Sequence, residues 1–372
     1  MKTFEEYCAA YWLRLLGKNC FKTAESLTRE FGSVVNAFSA SFKDIKEVQS
    51  GDINTSVEGL YQRMRMRELK DEAKETIERA YKLGQQVILS DEEDYPALLG
   101  EYAHRPMLLF YYGDIKKINK CTGSMAVVGS RNVTPYGKDV TVKAVEVLSG
   151  CGVMIVSGMA RGIDAIAHRT ALDNGLFTVA VLGCGCNVVY PAENISIFKR
   201  IKEQGVILSE YPPDKKPFKA NFPARNRIIA GLSDFVLVTE AGTSSGALIT
   251  ADFALDGGRD VMSVPHRIDV PGGAGCNLLI KNGAAVFTAP EDVLQAFGIE
   301  TKEGSLRQIS DDALCYEEKV IYRIIKNLGE SSEDEIMAGQ SGFDARTVKK
   351  YLTSLELCGF IKRNSNGGYS CR

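Results

Sequence analysis

Four glycine-bearing segments offer backbone freedom, and two of them add an arginine. They are Gly129-Ser130-Arg131, Ser157-Gly158-Met159-Ala160-Arg161-Gly162-Ile163-Asp164, Gly183-Cys184-Gly185 leading to Tyr190-Pro191, and Glu240-Ala241-Gly242-Thr243-Ser244-Ser245-Gly246. Glycine lets main-chain N–H groups approach a phosphate, and a helix that follows points its positive end there. Arg131 and Arg161 add a planar fork suited to phosphate oxygens. The chemistry is binding of a polyanion or a nucleotide. The other reading keeps the glycines for tight turns and pairs the arginines with Asp164 or Glu240.

A second segment, Ser209–Gly231, mixes cations with aromatic rings. Eight basic residues lie between Lys199 and Arg227, with Lys215, Lys216, Lys219, Arg225 and Arg227 among them. Three acidic ones leave a local charge of +5. Tyr211, Phe218 and Phe222 interleave with them. Cations that follow a backbone and rings that stack on bases are the two parts of a single-strand groove. A solvated, proline-bearing surface loop is the plainer reading, and Lys199–Lys202 are expected on a helix away from the groove.

Other chemistries find no support. Gly183-x-Gly185 has Val188 where a dinucleotide fingerprint needs its third glycine, and no Gly-x-x-x-x-Gly-Lys occurs. The three histidines, His104, His168 and His266, are far apart, so no metal is expected. The ten cysteines form no C-x-x-C pair, which suits reduced thiols in a cytoplasm.

The elements that must position these loops follow from hydrophobic patterning. Short Val- and Ile-rich runs occur at Met125–Val128, Val153–Val156, Val179–Leu182, Val206–Leu208, Phe235–Val238, Val261–Val264 and Ala285–Phe287. They do not alternate, which marks strands covered on both faces. Helical stretches separate them, with Val140, Ala144, Val147 and Leu148 on one face. The fold class is α/β: a doubly wound, mostly parallel Rossmann-like sheet, with ligands expected outside the carboxyl ends of the strands.

Residues 1–82 read as a helical domain; Leu16-Gly17 and Thr23–Gly32 loosely resemble a helix-hairpin-helix of the SAM-like kind. The core is expected over 83–300, a polar linker over 301–312 and a last module over 313–372. That module pairs two amphipathic helices with a glycine-turned hairpin, the layout of a winged helix. Arg346, Lys349 and Lys350 lie opposite its apolar stripe, and six basic residues face two acidic ones from Phe343 to Arg372. This suits duplex DNA or a solvated helix face.

The chain has 372 residues, 47 acidic and 45 basic side chains and a formal charge of −2, with 45% hydrophobic content. That excludes overall disorder and a histone-like binder. No run of about 18 apolar residues occurs, so no membrane span is expected. Glu5 and Glu6 stand where a secretory signal would be apolar.

Taken in order, six motifs resemble the DNA processing protein A (DprA, or Smf) family. They are Gly129-Ser130-Arg131, the Ser157–Asp164 run, Gly183-x-Gly185 with Tyr190-Pro191 and Asn194, and Ser209-Glu210-x-Pro212-Pro213. Phe222-Pro223-x-Arg225-Asn226-Arg227-Ile228-Ile229 and Ser245-Gly246 with Thr250-Ala251 complete the set. The resemblance covers about residues 85–295. It implies a non-enzymatic protein that binds single-stranded DNA, protects incoming strands in natural transformation and loads the RecA recombinase, without a cofactor. Carried over, the DNA-contacting residues are Gly129, Ser130, Arg131, Arg161, Gly162, Phe222, Arg225, Asn226 and Arg227, joined by Lys216 and Lys219 of the basic segment. The resemblance also implies a homodimer through the core, with Leu255, Ile280 and Val286 at the contact. Ordinary core packing is the other reading of those three.

Two further functions stay open. One is an enzyme acting on a nucleoside monophosphate, in which Glu240 or Asp164 serves as acid or base. The other is a transcription regulator with a ligand-sensing core.

Overall fold

The computed structural model describes residues 2–16, 28–40, 67–299, 314–329, 331–338, 343–357, 360–364 and 368–371. The chain forms two compact units, Met1–Ile299 and Glu300–Arg372. The helix-hairpin-helix resemblance falls largely on residues 17–27, outside the described residues, as does the linker.

A nine-stranded sheet builds the first unit: β1 (Gln86–Leu89), β2 (Leu108–Gly113), β3 (Gly123–Gly129), β4 (Val153–Ser157), β5 (Thr178–Leu182), β6 (Val206–Ser209), β7 (Phe235–Glu240), β8 (Asp260–Ser263) and β9 (Ala285–Val286). Their spatial order is β1-β2-β6-β5-β4-β3-β7-β8-β9. The seven strands from β6 to β9 run parallel, and β2 joins β6 antiparallel. All seven predicted runs are strands of this sheet.

Alternation along β3 shows why a run without polar residues fits here. Met125 and Val127 join one core, Ala126 and Val128 the other, so both faces need apolar cover. α5 (Pro135–Glu146) and α6 (Ile163–Asp173) cover the first face. α8 (Asn221–Gly231), α9 (Gly246–Asp256) and α10 (Ala274–Lys281) cover the second. Among the described residues, the other α-helices of this unit are α1 (Phe4–Leu16), α2 (Val34–Ser39), α3 (Arg67–Lys82), α4 (Ala97–Glu101), α7 (Ile195–Gln204) and α11 (Glu291–Ala296).

The winding reverses between β3 and β7. β3 leads through α5 to β4 on one side, and β7 leads through α9 to β8 on the other. In an open sheet the carboxyl ends at such a reversal are where ligands are expected. α5 starts where Thr134 caps the Gly137 amide at 3.1 Å and Pro135 takes the first turn.

The N-terminal helices do not stand apart from the sheet. Trp12 is fully buried, and Tyr11 meets Phe110 of β2 edge-on at 5.9 Å. One core joins α1, α3, α7, β1 and β2, so packing runs across the expected division at residue 82. α3 falls within the residues 1–82 expected to be helical. Among the described residues no helix is long and apolar enough to cross a membrane.

The second unit holds α12 (Tyr316–Leu328), α13 (Glu333–Ala338), α14 (Ala345–Leu357) and an antiparallel hairpin of β10 (Ile361–Arg363) and β11 (Tyr369–Cys371). Ser331 bridges to Tyr369 as a third, one-residue strand. Ile321, Ile325, Val348, Leu352 and Ile361 form its core.

Candidate nucleic-acid interface

The loops after β3 and β4 lock together before any ligand is considered. Ser130 donates its amide to the Glu240 carbonyl at 2.7 Å, and its own carbonyl accepts from the Ile163 amide at 3.1 Å. Its hydroxyl closes a turn on Asn132, donating to the Asn132 carbonyl at 2.8 Å. Gly162 has φ +76°, and a Cβ there would lie 2.2 Å from the Ser130 carbonyl oxygen. Gly129 is pressed between Ile163 and the Glu240 carbonyl. These two glycines serve close packing of protein on protein, where the expectation was room for phosphate.

What the locked loops present is charge. Arg131 is exposed, and among the described residues no hydrogen bond or ion pair holds its guanidinium. Arg161 is exposed and bridges to Glu193 at 2.8 Å, both partners being solvent-accessible. Such a pair exchanges readily for a phosphate, because exposed ion pairs contribute about 0–1 kcal/mol.

Arg225 departs from the expectation of a surface contact. It is buried beneath the rim, where its guanidinium donates to the carbonyls of Gly158 and Val181. One nitrogen, Nη1, reaches both carbonyls at the end of the sheet, and the bonds are charge-assisted. Asp164 lies close by and accepts from the amides of Gly158 at 3.1 Å and Ala160 at 3.2 Å. Burial pushes its carboxyl above the usual range, against the pull of the Arg225 charge. Arg225 thus fixes the β4 loop and the end of β5, and through α8 it fixes Phe222 and Asn226.

His168 sits in the same buried cluster, its Nδ1 2.8 Å from Thr178 Oγ1. Burial, helped by the Arg225 charge, pushes the imidazole down from 6.5 to about 3. An unfolded chain takes up a proton below about pH 6.5 that the folded chain refuses. Stability from this group is therefore complete above that pH and declines as pH falls toward 3, by about 2 kcal/mol at pH 5. His168→Gln is expected to flatten thermal melts recorded between about pH 7 and pH 5. An unchanged pH dependence would remove His168 from the titration.

Aromatic groups line the β5 and β6 end of the rim. Phe222 lies half-buried on Gly183, where a Cβ would come within 2.9 Å of the ring. Its ring centroid is 5.5 Å from that of Tyr190, which is 46% exposed. Tyr190 was part of a motif but not among the expected contacts; its position after the third glycine loop was the available signal. Lys216 and Lys219 are exposed on the loop before α8. Asn226 donates to the Gly246 carbonyl at 3.1 Å, tying α8 to the start of α9. Arg227 turns away to Glu210 at 2.8 Å, with both partners largely shielded.

The two carboxylates of the enzyme reading have structural duties. Glu240 is 2% exposed and accepts from the Thr134 amide and hydroxyl, at 3.1 and 2.8 Å, so it secures the start of α5. Asp164 holds the β4 loop as described. Among the described residues no group of three His, Cys, Asp or Glu is placed to hold a metal.

The expected interface residues lie at the β8–β9 end of the sheet. Leu255 and Val286 are exposed and Ile280 is half-buried. On α14, Arg346 is exposed, Lys349 bridges to Glu333 at 3.3 Å, and Lys350 lies 4.9 Å from the Tyr351 ring centroid.

Comparison with known proteins agrees with this geometry. The family model for DNA recombination-mediator protein A matches residues 86–298, more than half of the chain. Protein Smf of Synechocystis is 45% identical over 215 residues, which is 57% of this chain and 54% of that relative. The chain thus spans about half the length of that relative. The X-ray structure of DNA processing protein A from Streptococcus pneumoniae superposes with TM-score 0.66 at 34% identity, over 79% of this chain and 98% of that one. A Helicobacter pylori DNA processing protein A, described for its single-stranded DNA binding mode, superposes with TM-score 0.52 at 30% identity, over 57% and 94% of the two chains. The order of the loop motifs, the doubly wound sheet that carries them and the matched model together place this chain in the DNA recombination-mediator protein A (DprA/Smf) family.

Proposed function

We propose that the protein binds single-stranded DNA along the carboxyl rim of its sheet and hands the strand to a recombinase, without catalysing a reaction of its own. The observation that carries this reading is the sequence of groups along one rim. Arg131 and Arg161 stand on neighbouring loops, followed by the Tyr190–Phe222 pair and then Lys216 and Lys219. Cations at intervals suit phosphates in series, and the rings suit bases. Such contacts position a strand and carry little sequence information. Gly129, Ser130, Gly162, Arg225, Asn226 and Arg227 act on this reading mainly by holding the loops. Filter binding with oligothymidylate, duplex and thymidine monophosphate tests it. Tight binding of the monophosphate alone would favour the nucleotide enzyme instead.

The same reading places DNA processing in transformation, RecA loading and a cytoplasmic setting with this chain. Stimulated strand exchange by RecA on bound single strands is the test, and its absence would remove the loading step. The apolar residues at the β8–β9 end support a homodimer. Ile280→Glu should convert it to monomer in light scattering, and a folded variant that stays dimeric would reject that contact. Three helices, a hairpin and the Ser331 bridge support a winged helix in the second unit. Its duplex contact through Arg346, Lys349 and Lys350 is tested by duplex affinity of Arg346→Ala/Lys350→Ala, and unchanged affinity would exclude it.

A further inference from the structure

Phe218 is out of keeping with its surroundings. It is 64% exposed, in a stretch that reads Lys215-Lys216-Pro217-Phe218-Lys219. The three lysines are exposed, and among the described residues their ammonium groups have no partner. An exposed ring set among exposed lysines has the composition of a surface on which a base can stack between phosphate contacts.

The arm that carries the ring is fixed at both ends. At its start, Asp214 adopts φ +62°, a conformation that side chains rarely take. Three hydrogen bonds hold it there. Arg79 Nε of α3 donates to Oδ2 at 2.8 Å, Asn187 Nδ2 donates to Oδ1 at 2.6 Å, and the Asp214 amide donates to Asn187 Oδ1 at 2.9 Å. The Arg79 guanidinium holds the Asp214 carboxyl below its usual range, so the carboxylate is charged. The next carbonyl, of Lys215, accepts from the Gly185 amide at 2.9 Å. At the far end the Phe218 carbonyl accepts from the Asn221 amide at 2.9 Å, and Asn221 Nδ2 donates to the Gly183 carbonyl at 3.1 Å. The Phe218 ring and the lysine side chains are left without such ties. Backbone strain kept in place by several bonds is the mark of an imposed loop geometry.

We propose that Phe218 is a second base-stacking platform beside the Tyr190–Phe222 pair, held out by a latch in which Arg79 and Asn187 grip Asp214. A nucleobase is the occupant that fits, because it brings a flat face for the ring and flanking phosphates for the lysines. The hollow behind the latch is lined by Glu72, Glu75, Glu78 and Asp214 against Lys82 and Arg79, a negative balance that favours approach of a polyanion from the lysine side. The latch gives the N-terminal helices a part in DNA binding that does not require them to touch DNA; Arg79 is a positioning residue. This inference rests on the single-strand reading above.

The test uses the full chain, oligothymidylate and an abasic oligodeoxyribose phosphate of equal length. Phe218→Ala is expected to weaken oligothymidylate binding by about 5- to 150-fold, the range of one stacked base, with an unchanged salt slope and unchanged abasic binding. Trp12 is the one native tryptophan and is fully buried, so the indole of Phe218→Trp reports on the arm. Its emission should be quenched by oligothymidylate and not by the abasic strand. Adding Arg79→Ala/Asp214→Asn, which leaves the net charge as it was, should reduce that quench at saturating strand. A full quench would overturn the latch. Unchanged affinity in Phe218→Ala, with affinity lost in Arg131→Ala or Phe222→Ala, would overturn the platform and leave the single-strand reading intact. Unchanged affinity in all three would overturn both.

Discussion

Arg225→Ala is expected to cost the fold about 3–5 kcal/mol, because it removes one partner of a buried charged cluster. In a unit of this size the melting temperature should fall on the order of 10 °C. The guanidinium donates through Nη1 to the Gly158 and Val181 carbonyls at the sheet end. Asp164 would remain buried with its two amide donors and without the opposing charge. Arg225→Lys should not restore stability, since one ammonium cannot hold both carbonyls as Nη1 does and also replace the Nε bond to Asn226 Oδ1 at 3.2 Å. Affinity for single strands should fall with stability, through loss of the β4 loop geometry. A variant that melts like the parent and only binds more weakly would make Arg225 a direct phosphate ligand.

Gly162→Ala is expected to be the most damaging single-methyl change on the rim. The residue has φ +76° and ψ −126°, a region open in practice to glycine, and alanine there costs about 1–3 kcal/mol in backbone strain. The new Cβ would lie 2.2 Å from the Ser130 carbonyl oxygen and 2.7 Å from that of Arg131. Both atoms are main chain, so the whole β3 loop must shift, at a further cost of about 1–3 kcal/mol. Because Arg131 rides on that loop, single-strand affinity should drop by about 10-fold or more, the worth of one charge-assisted contact. Gly246→Ala is the control: nothing lies within 4 Å of its added Cβ, and the position opens α9. It should leave melting and binding close to the parent. Equal tolerance at both glycines would mean that the β3 and β4 loops are not locked together.

The architecture was legible because it is written in local pattern. Seven apolar runs without alternation read as covered strands; each is a strand of the sheet, although Ala285 and Val286 of β9, at its edge, are exposed. The rim followed, since glycine loops after such strands must gather at their carboxyl ends. What escaped the sequence was set by distance along the chain. Arg225 reads as a surface cation, because nothing nearby announces the carbonyls of residues 158 and 181 that draw it inward. Arg227 likewise meets Glu210 only once α8 folds back over the β6 end. The latch joins residues 79, 187 and 214, and no spacing rule connects them. The N-terminal helices show apolar stripes but not what those stripes face, so their packing on β1 and β2 emerged only in three dimensions. The glycines were found for one reason and kept for another: at 129 and 162 the neighbour that needs the space is protein.

The most direct test of the rim is a salt titration of oligothymidylate binding by the parent and by Arg131→Ala. Loss of one phosphate contact should weaken affinity on every sequence tried and lower the slope of log K against log salt by about 0.7. The same affinity and the same slope in both proteins would mean that the strand lies elsewhere.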